Sequence, residues 1–578
     1  MSTEFRVWAP LPKKVELRLG NETLPMSSKG GGWWSARAPA SQPGVGYGFV
    51  LDGEGPFPDP RSAWQPEGVH GLSRWVDQSR YGWTDQEWQP PPLSSALIYE
   101  LHPGTFTPEG QFDSIIGKLD YLRGLGVTHV ELMPANEFDG PRGWGYDGVD
   151  LFAPHHWYGG PDGLKRLVNA CHARGLAVLL DVVYNHLGPS GNYLAKFGPY
   201  FNARRSTPWG PALNFDGPDS GEVRRFFCDN ALMWLRDYHF DGLRLDAVHA
   251  IVDASARPFL EQLKEEVEGL EACLRRRLVL IPESDLNDPR LLWAREHGGF
   301  ALDAQWSDDF HHALHVALTG EQKGYYQDFG ALGDLCYALG HAYVYEGQYS
   351  RYRRRRHGRA FADLSGARFL GYLQNHDQVG NRAQGDRMGQ LAGARRAKIG
   401  AALVLTAPFV PMLFQGEEWA ASTPFQYFTS FDDPELGRAV SEGRRAEFAH
   451  FGWNPEEVSD PQAKATFDRC VLNWPELAEA PHEEMLEWYR RLIRLRQRTP
   501  ALADGRLDLV RTRCDESGRW LVVERGPITV ACNFAAHEQP IPLRPGAQTV
   551  LLASGPLPHN DAGNFTFPAE SAAVLELG

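Results

Sequence analysis

The sequence predicts an α/β protein: a (β/α)8 TIM barrel with one β-sandwich domain before it and a second β-sandwich domain after it. Three observations lead there. Across the middle of the chain, eight short apolar runs alternate with segments of helical period. Both ends lack that period and show two-residue alternation broken by glycine and proline. The length, 578 residues, allows about three or four average domains, and one barrel with loop insertions absorbs much of it.

From Phe5 to about Leu51 the pattern is that of strands, as in Val15-Glu-Leu-Arg-Leu19, with turns at Gly20, Gly30–Gly32 and Pro43-Gly44. Pro56-Phe-Pro-Asp-Pro60 closes this region. Gln89-Pro-Pro-Pro-Leu93 reads as a linker, because proline has no backbone donor and cannot continue a central strand. Residues 1–92 are therefore expected to form a β-sandwich of the carbohydrate-binding kind, which either binds glucan or braces the barrel.

The barrel is expected over 93–495. Its strands are the runs Leu97–Leu101, Val127–Met133, Ala177–Tyr184, Gly242–Asp246, Leu278–Glu283, Ala301–Trp306, Phe369–Gln374 and Val410–Phe414. Between them, Ile115, Ile116, Leu119, Leu122 and Leu125, and again Leu164, Leu167, Val168 and Cys171, fall at the threes and fours of amphipathic helices. Alternation returns in Trp520–Arg525, Ile528–Cys532 and Val550–Leu552, so 496–578 is expected to be the second sandwich.

Composition narrows the function. Hydrophobic residues at 42%, charged at 23% and aromatic at 12% describe a globular chain rather than a disordered or fibrous one. The balance of 58 basic against 73 acidic residues, −15, would repel a phosphate backbone, so no nucleic acid is expected as a partner. The short Arg353–Arg356 run does not change that and reads as a solvated loop or a wall of the product site. Seven cysteines, odd in number and without CxxC spacing, argue against a disulfide framework or a thiolate metal site and fit a reducing compartment. Glu4 and Arg6 interrupt any leader-like apolar run at the start, and no apolar stretch reaches the roughly 18 residues of a membrane span. A cytoplasmic protein with no membrane partner is the expectation. Abundant Trp, Tyr and Phe beside an acidic balance also suit sugars, whose C–H faces pack on aromatic rings while carboxylates hold hydroxyls.

In a (β/α)8 barrel, catalytic groups stand at the carboxyl ends of strands. Asp246 and Glu283 end the fourth and fifth runs, and Asp377 follows the seventh. Retaining glycoside hydrolysis uses two carboxyls roughly 5 Å apart, one as nucleophile and one as acid/base, and a third can stabilise the oxocarbenium-like transition state. Arg244 precedes Asp246 by two residues and so points to the same side of the strand, where it would keep that carboxylate ionised. His186 and His376 could donate to sugar hydroxyls nearby. Any one of these carboxylates alone could cap a helix or pair with an arginine. Three at one barrel mouth point to chemistry.

Asp181-Val-Val-Tyr-Asn-His186, Asp241-Gly-Leu-Arg-Leu-Asp246, Pro282-Glu-Ser-Asp285 and Gln374-Asn-His-Asp377 resemble, in order, the four sequence regions of the α-amylase superfamily of retaining glycosidases and transglycosylases. The resemblance implies that Asp246 is the nucleophile, Glu283 the acid/base and Asp377 the transition-state stabiliser, with Tyr146, His186, Arg244 and His376 around the −1 sugar. Trp144–Gly148, Thr207–Gly217 and Leu302–His312 look like the branch that holds branching enzymes and trehalose-releasing hydrolases. Tyr349–Gly358, Pro424–Phe428 and Gly443–Phe448 are similar to the latter, which implies malto-oligosyltrehalose and related α-glucans as substrates. The rivals are a branching enzyme, passing the glycosyl group to a glucan hydroxyl, and a non-catalytic glucan-binding protein on the same fold.

Trp209 stands as a further sugar platform, Trp144 as either a sugar platform or a core residue, and His249 as a wall of the +1 subsite or the start of a helix; Trp419 reads as packing. Asn185 has the carboxamide that suits a hard cation in some amylases. The resemblance nonetheless requires neither a catalytic metal nor a cofactor.

Overall fold

The computed structural model describes residues 2–39, 44–450, 457–561 and 564–578. Pro43, assigned above to a turn, lies outside the described residues.

The N-terminal region forms two antiparallel sheets. Ser2–Trp8, Trp33–Pro39 and Ser27–Gly30 make one; Glu22–Pro25, Val15–Leu19, Gly46–Leu51 and Glu54–Phe57 make the other, with Ser73–Arg74 added to Gly46–Leu51. The inward residues Phe5, Val7, Val15, Leu17 and Phe49 are buried between them, as the alternation requires. This unit sits against the excursion that follows the third barrel strand. Trp8 meets Tyr200 edge-on at 5.4 Å, Phe49 meets Phe197 at 6.3 Å, and Arg61 pairs with Asp229 at 2.7 Å.

The eight expected runs supply the eight strands of one parallel sheet, here β1 (Ile98–Leu101), β2 (His129–Leu132), β3 (Ala177–Val182), β4 (Gly242–Leu245), β5 (Val279–Pro282), β6 (Gln305–Trp306), β7 (Phe369–Tyr372) and β8 (Val410–Phe414). Apart from β5 and β6, sequence neighbours pair with each other, and β8 returns to β1 with Met412 opposite Ile98. The ladder is interrupted between β5 and β6. There Asp303 bridges the gap: its N–H donates to the Leu280 carbonyl at 3.0 Å and its carboxylate accepts from the Leu280 N–H at 2.8 Å. Lys264 and Arg368 hold Asp303 in turn, at 2.7 Å to the carboxylate and 2.5 Å to the carbonyl. The sixth run is strand only at its end, because Ala301 turns left-handed (φ 59°).

Strand alternation sorts the barrel's side chains. Val130, Val178, Leu180, Leu243 and Leu280 belong to the large core that the surrounding helices also build, whereas Ile98, Leu179, Ile281, Trp306, Leu370 and Met412 cluster separately inside. Two residues further along each of the first strands the interior becomes ionic, with Glu100, Glu131, Asp181 and Arg244 all buried. The barrel thus has an apolar floor and a charged ceiling.

The helix expected over Ile115–Leu125 is two shorter ones, Phe112–Ile116 and Leu119–Leu125, ended by Gly126 in the left-handed region (φ 108°). Gly160–His172 buries Leu164, Leu167, Val168 and Cys171 as its spacing predicts. The expected barrel boundary at 495 falls inside a helix: Ala480–Arg498 carries Leu492 and Ile493 onto the core, and its periodicity continues past that point. Beyond it, Val510–Asp515, Trp520–Arg525, Ile528–Asn533, Ser571–Leu577 and Gln548–Ala553 form a five-stranded sheet. Gln539–Ile541, Asn564–Phe567 and His559–Asp561 form a second, closing over Val522, Ala531, Phe565 and Phe567. All seven cysteines are free, and no helix of the described residues is long and apolar enough to cross a membrane.

Candidate active site

The three carboxylates gather above the charged ceiling of the barrel. Asp246 follows β4 directly and its N–H bonds the Val182 carbonyl at 3.0 Å; Glu283 follows β5 and bonds the Leu245 carbonyl at 2.9 Å. Asp377 stands in the first turn of His376–Gly380, just after β7. The side chains of Asp246, Glu283 and Asp377 are 11%, 15% and 39% exposed, a gradient from the floor of the cleft to its rim.

Arg244 organises the pair. Fully buried, it places Nη1 2.7 Å from Asp246 Oδ1 and 2.8 Å from Asp181 Oδ2, and Nη2 3.4 Å from Glu283 Oε2. Its guanidinium lies 4.4 Å from the centre of the Trp306 ring, which closes its other face. Asn185 donates to the second oxygen of Asp246 at 3.1 Å, so its carboxamide serves the carboxylate directly. Glu283 Oε2 accepts the Ala247 N–H at 2.6 Å.

These surroundings set the ionisation. Burial pushes the Glu283 carboxyl well above the usual range, and Asp246, Asp308 and Asp377 add to the rise against the opposing Arg244 charge. Burial likewise lifts Asp181, to about 6. For His376, burial acts to lower the pKa, but the Glu100 and Asp377 charges overcome it and carry the imidazole up to about 9. One carboxyl biased to hold its proton, next to another held by a cation, is the division of labour that acid/base glycoside cleavage needs.

Tyr146 joins the two sides. Its hydroxyl donates to Asp181 Oδ2 at 2.5 Å and accepts from His376 Nε2 at 2.7 Å, while His376 Nδ1 meets Glu100 in a very short contact. His186 is held between Asn185 Oδ1 (2.9 Å) and the Tyr146 carbonyl (3.0 Å). Both nitrogens of His186 and of His376 are thus engaged by protein groups. A sugar hydroxyl would have to take the place of one of these partners.

The two tryptophans part company. Trp209, at the turn between Phe201–Thr207 and Gly210–Leu213, is 49% exposed and stacks on His186 with centroids 5.2 Å apart. Trp144 is 4% exposed: Phe425 covers one face at 5.2 Å, and Nε1 donates to the Gln426 carbonyl at 3.0 Å. Of the two readings of Trp144, burial favours the packed core residue over the sugar platform. The ring instead packs edge-to-face against His376 and Tyr146 from behind. Trp419 is packing, as read, with its N–H on Glu476. His249 lies in the turn Val248–Ala250, a quarter exposed and 3.9 Å from Asp285.

Sequence reasoning missed Glu100, Asp181, Trp306 and Arg444 as supports of the site. Asp181 opens a motif already quoted, and Glu100 is the one charge in an apolar run, which was its signal. Arg444 donates to Gly380 O and Asn381 Oδ1, both at 2.9 Å, and Asn381 holds Asp377 at 3.1 Å. No pattern joins those positions in the sequence. Among the described residues, Glu137, His155 and His156 offer grouped ligand atoms of the kind a metal takes, but here they bond one another.

An eight-stranded parallel barrel with a buried arginine shared by carboxylates at its mouth defines the class of alpha-amylase-type glycoside hydrolases. The family described as alpha amylase, catalytic domain, matches residues 73–209, and a domain of unknown function (DUF3459) matches 505–574. A Salmonella typhimurium crystal structure assigned to the alpha amylases superposes with a TM-score of 0.91 at 40% identity, covering 100% of this chain and 98% of that one. The malto-oligosyltrehalose trehalohydrolase of Arthrobacter ramosus is 51% identical over 100% of both chains, and that of Mycobacterium tuberculosis 49% identical over 99% of both. The chain belongs to the malto-oligosyltrehalose trehalohydrolase family. Full-length similarity at this level favours the trehalose-releasing hydrolase over the branching enzyme, and a glycoside hydrolase over a non-catalytic binder.

Proposed function

We propose that this chain hydrolyses the α-1,4-glucosidic bond next to the terminal trehalose of malto-oligosyltrehalose, releasing trehalose and a malto-oligosaccharide with retention at the anomeric carbon. The observation that carries the reading is the single guanidinium of Arg244 reaching both Asp246 and Glu283. It grips the nucleophile through a charge-assisted hydrogen bond, while burial pushes the acid's carboxyl well above the usual range. Asp246 attacks the anomeric carbon as Glu283 protonates the departing trehalose oxygen, giving a β-glucosyl ester on Asp246. Glu283 then takes a proton from water, which opens the ester, and the Asp246 carboxylate is restored. Asp377 stabilises the positive charge that develops at the ring in both steps.

In this reading Tyr146, His186, Arg244 and His376 line the −1 subsite, Trp209 packs on a sugar face at the rim, and His249 borders the +1 side. Residues 1–92 brace the barrel, the catalytic barrel continues through Arg498, and the remainder forms a separate β-domain. The reaction takes place in the cytoplasm and uses no cofactor. Product analysis tests it: incubation with malto-oligosyltrehalose should release free trehalose, and NMR of the initial product should show the α-anomer. New α-1,6 branches without trehalose would overturn it.

A further inference from the structure

Two of the seven free cysteines face each other across the joint between the barrel and the C-terminal sheet. Leu332–His341, a helix of the excursion between β6 and β7, packs against Val510–Asp515, the first strand of that sheet. Along the strand Val510, Thr512 and Cys514 turn inward, whereas Arg511 and Arg513 are exposed. The Thr512 hydroxyl donates to the Cys336 carbonyl at 3.2 Å, and Glu516 Oε1, just past the strand, accepts the Gly333 N–H at 2.9 Å. Strand and helix therefore run in opposite directions, and Cys514, between Thr512 and Glu516, lies over the helical turn from Gly333 to Cys336. A helical side chain leans toward the N-terminus of its helix, so the Cys336 thiol points back over that same turn. Gly333 puts no side chain in the way.

The two thiols meet there. Burial, and next the hydrogen bond with the Cys514 thiol, push the Cys336 thiol up from its ordinary value. A raised thiol pKa makes thiol exchange slow rather than absent. Both cysteines are half-buried, and Cys336 lines an open groove of about 550 Å³ between helix and strand, with Thr512 on the opposite wall. A small thiol reagent can therefore reach the pair. Of the remaining cysteines, Cys171, Cys228, Cys470 and Cys532 are buried, and Cys273 stands exposed on its own helix as an internal control for reagent activity.

We propose that Cys336 and Cys514 are a reversible modification site, at which a low-molecular-weight disulfide converts the pair into an intramolecular cystine that locks the C-terminal sheet to the barrel. In the first step one cysteine thiolate attacks the S–S bond of the reagent, giving a mixed disulfide and releasing one small thiolate. In the second, the other cysteine gives up its proton and attacks the protein-side sulfur, and the second small thiolate leaves. The pair loses two protons and two electrons, and the reagent is reduced to two thiols. The new bond closes a loop of about 180 residues, which restricts the unfolded chain. In the test, the full chain is incubated with glutathione disulfide well beyond full modification of exposed Cys273, then alkylated and digested without reduction. One product should join the peptides of Cys336 and Cys514, and Tm should rise by about 2–4 °C and fall back with dithiothreitol. Cys514→Ser and Cys336→Ser should each lose both the joined peptide and that rise, and either carries the test if the other does not fold. Recovery of Cys336 and Cys514 alkylated, or each with its own glutathione, would overturn the proposal. So would a joined peptide with Tm unchanged to within about 1 °C.

Discussion

Ala247 donates its backbone N–H to Glu283 Oε2 at 2.6 Å from a left-handed conformation, φ 35° and ψ 52°. Few residues other than glycine adopt such a conformation without cost. The turn after β4, which begins with the Asp246 carboxylate, is therefore also the turn that orients the carboxyl after β5. Nucleophile and acid/base are coupled through one peptide as well as through one arginine.

The first prediction concerns the proton that Glu283 delivers. Glu283→Gln keeps the shape of the side chain and removes the acid, so kcat on malto-oligosyltrehalose should fall by about 10²–10⁴. An α-glucosyl fluoride, whose leaving group needs no proton, should lose far less in the glycosylation step. Equal losses on both substrates would show that Glu283 does not act as the acid.

Removing a neighbouring carboxylate should move the alkaline limb of the pH profile, which reports the protonated acid. Asp308, which follows β6, bonds the Tyr372 hydroxyl and is one of the charges that raise Glu283; burial lifts its own carboxyl to about 7. Asp308→Asn should shift the alkaline limb of the kcat/KM profile to lower pH, since Glu283 then gives up its proton more readily. The pH profile is the measurement, and a limb that stays in place would count against the coupling.

The Glu100–His376 contact should appear in stability. His376 stands at about 9 against an ordinary 6.5, so folding favours its protonated form. That contribution is complete below pH 6.5 and is lost as pH rises through 9. The shift corresponds to about 3 kcal/mol. Denaturant melts between pH 6 and 9.5 should show the decline, and Glu100→Gln should flatten it while lowering stability at pH 6.

Two tryptophans of similar sequence setting should behave oppositely. Trp144→Ala empties a packed site behind His376 and Tyr146 and should cost about 3–5 kcal/mol of folding stability. Trp209→Ala should leave the melting temperature nearly unchanged and raise KM on malto-oligosyltrehalose several-fold, because only an exposed ring face is lost. Thermal melts and initial rates on the same two preparations separate the roles.

The contrast between these tryptophans also marks where the sequence stops being readable. Strands buried on both faces show as unbroken apolar runs, so all eight were legible, and with them the positions of Asp246, Glu283 and Asp377. Glu100 was visible as a charge inside such a run, although its partner His376 lies 276 residues away. The sixth run was read too long because the left-handed turn at Ala301 has no apolar signature. Trp144 and Trp209 both sit beside glycine, and only tertiary packing decides that Phe425 covers one while the other stays open. The pairing of Arg353 with Asp285 spans 68 residues and two loops, for which no local pattern exists.

The interruption between β5 and β6 gives the barrel two unladdered margins, both buried in the native fold, where a fully laddered one has none. Unpaired strand margins invite pairing with other chains. Asp303 acts as a plug: one side chain and one peptide occupy the Leu280 groups that a foreign strand would need. Asp303→Ala should consequently do more harm as aggregation on partial unfolding than as lost activity. The same margin is where the circle could be cut and the chain re-joined elsewhere with the fewest backbone bonds broken, which makes it the natural place to open this enzyme for permutation.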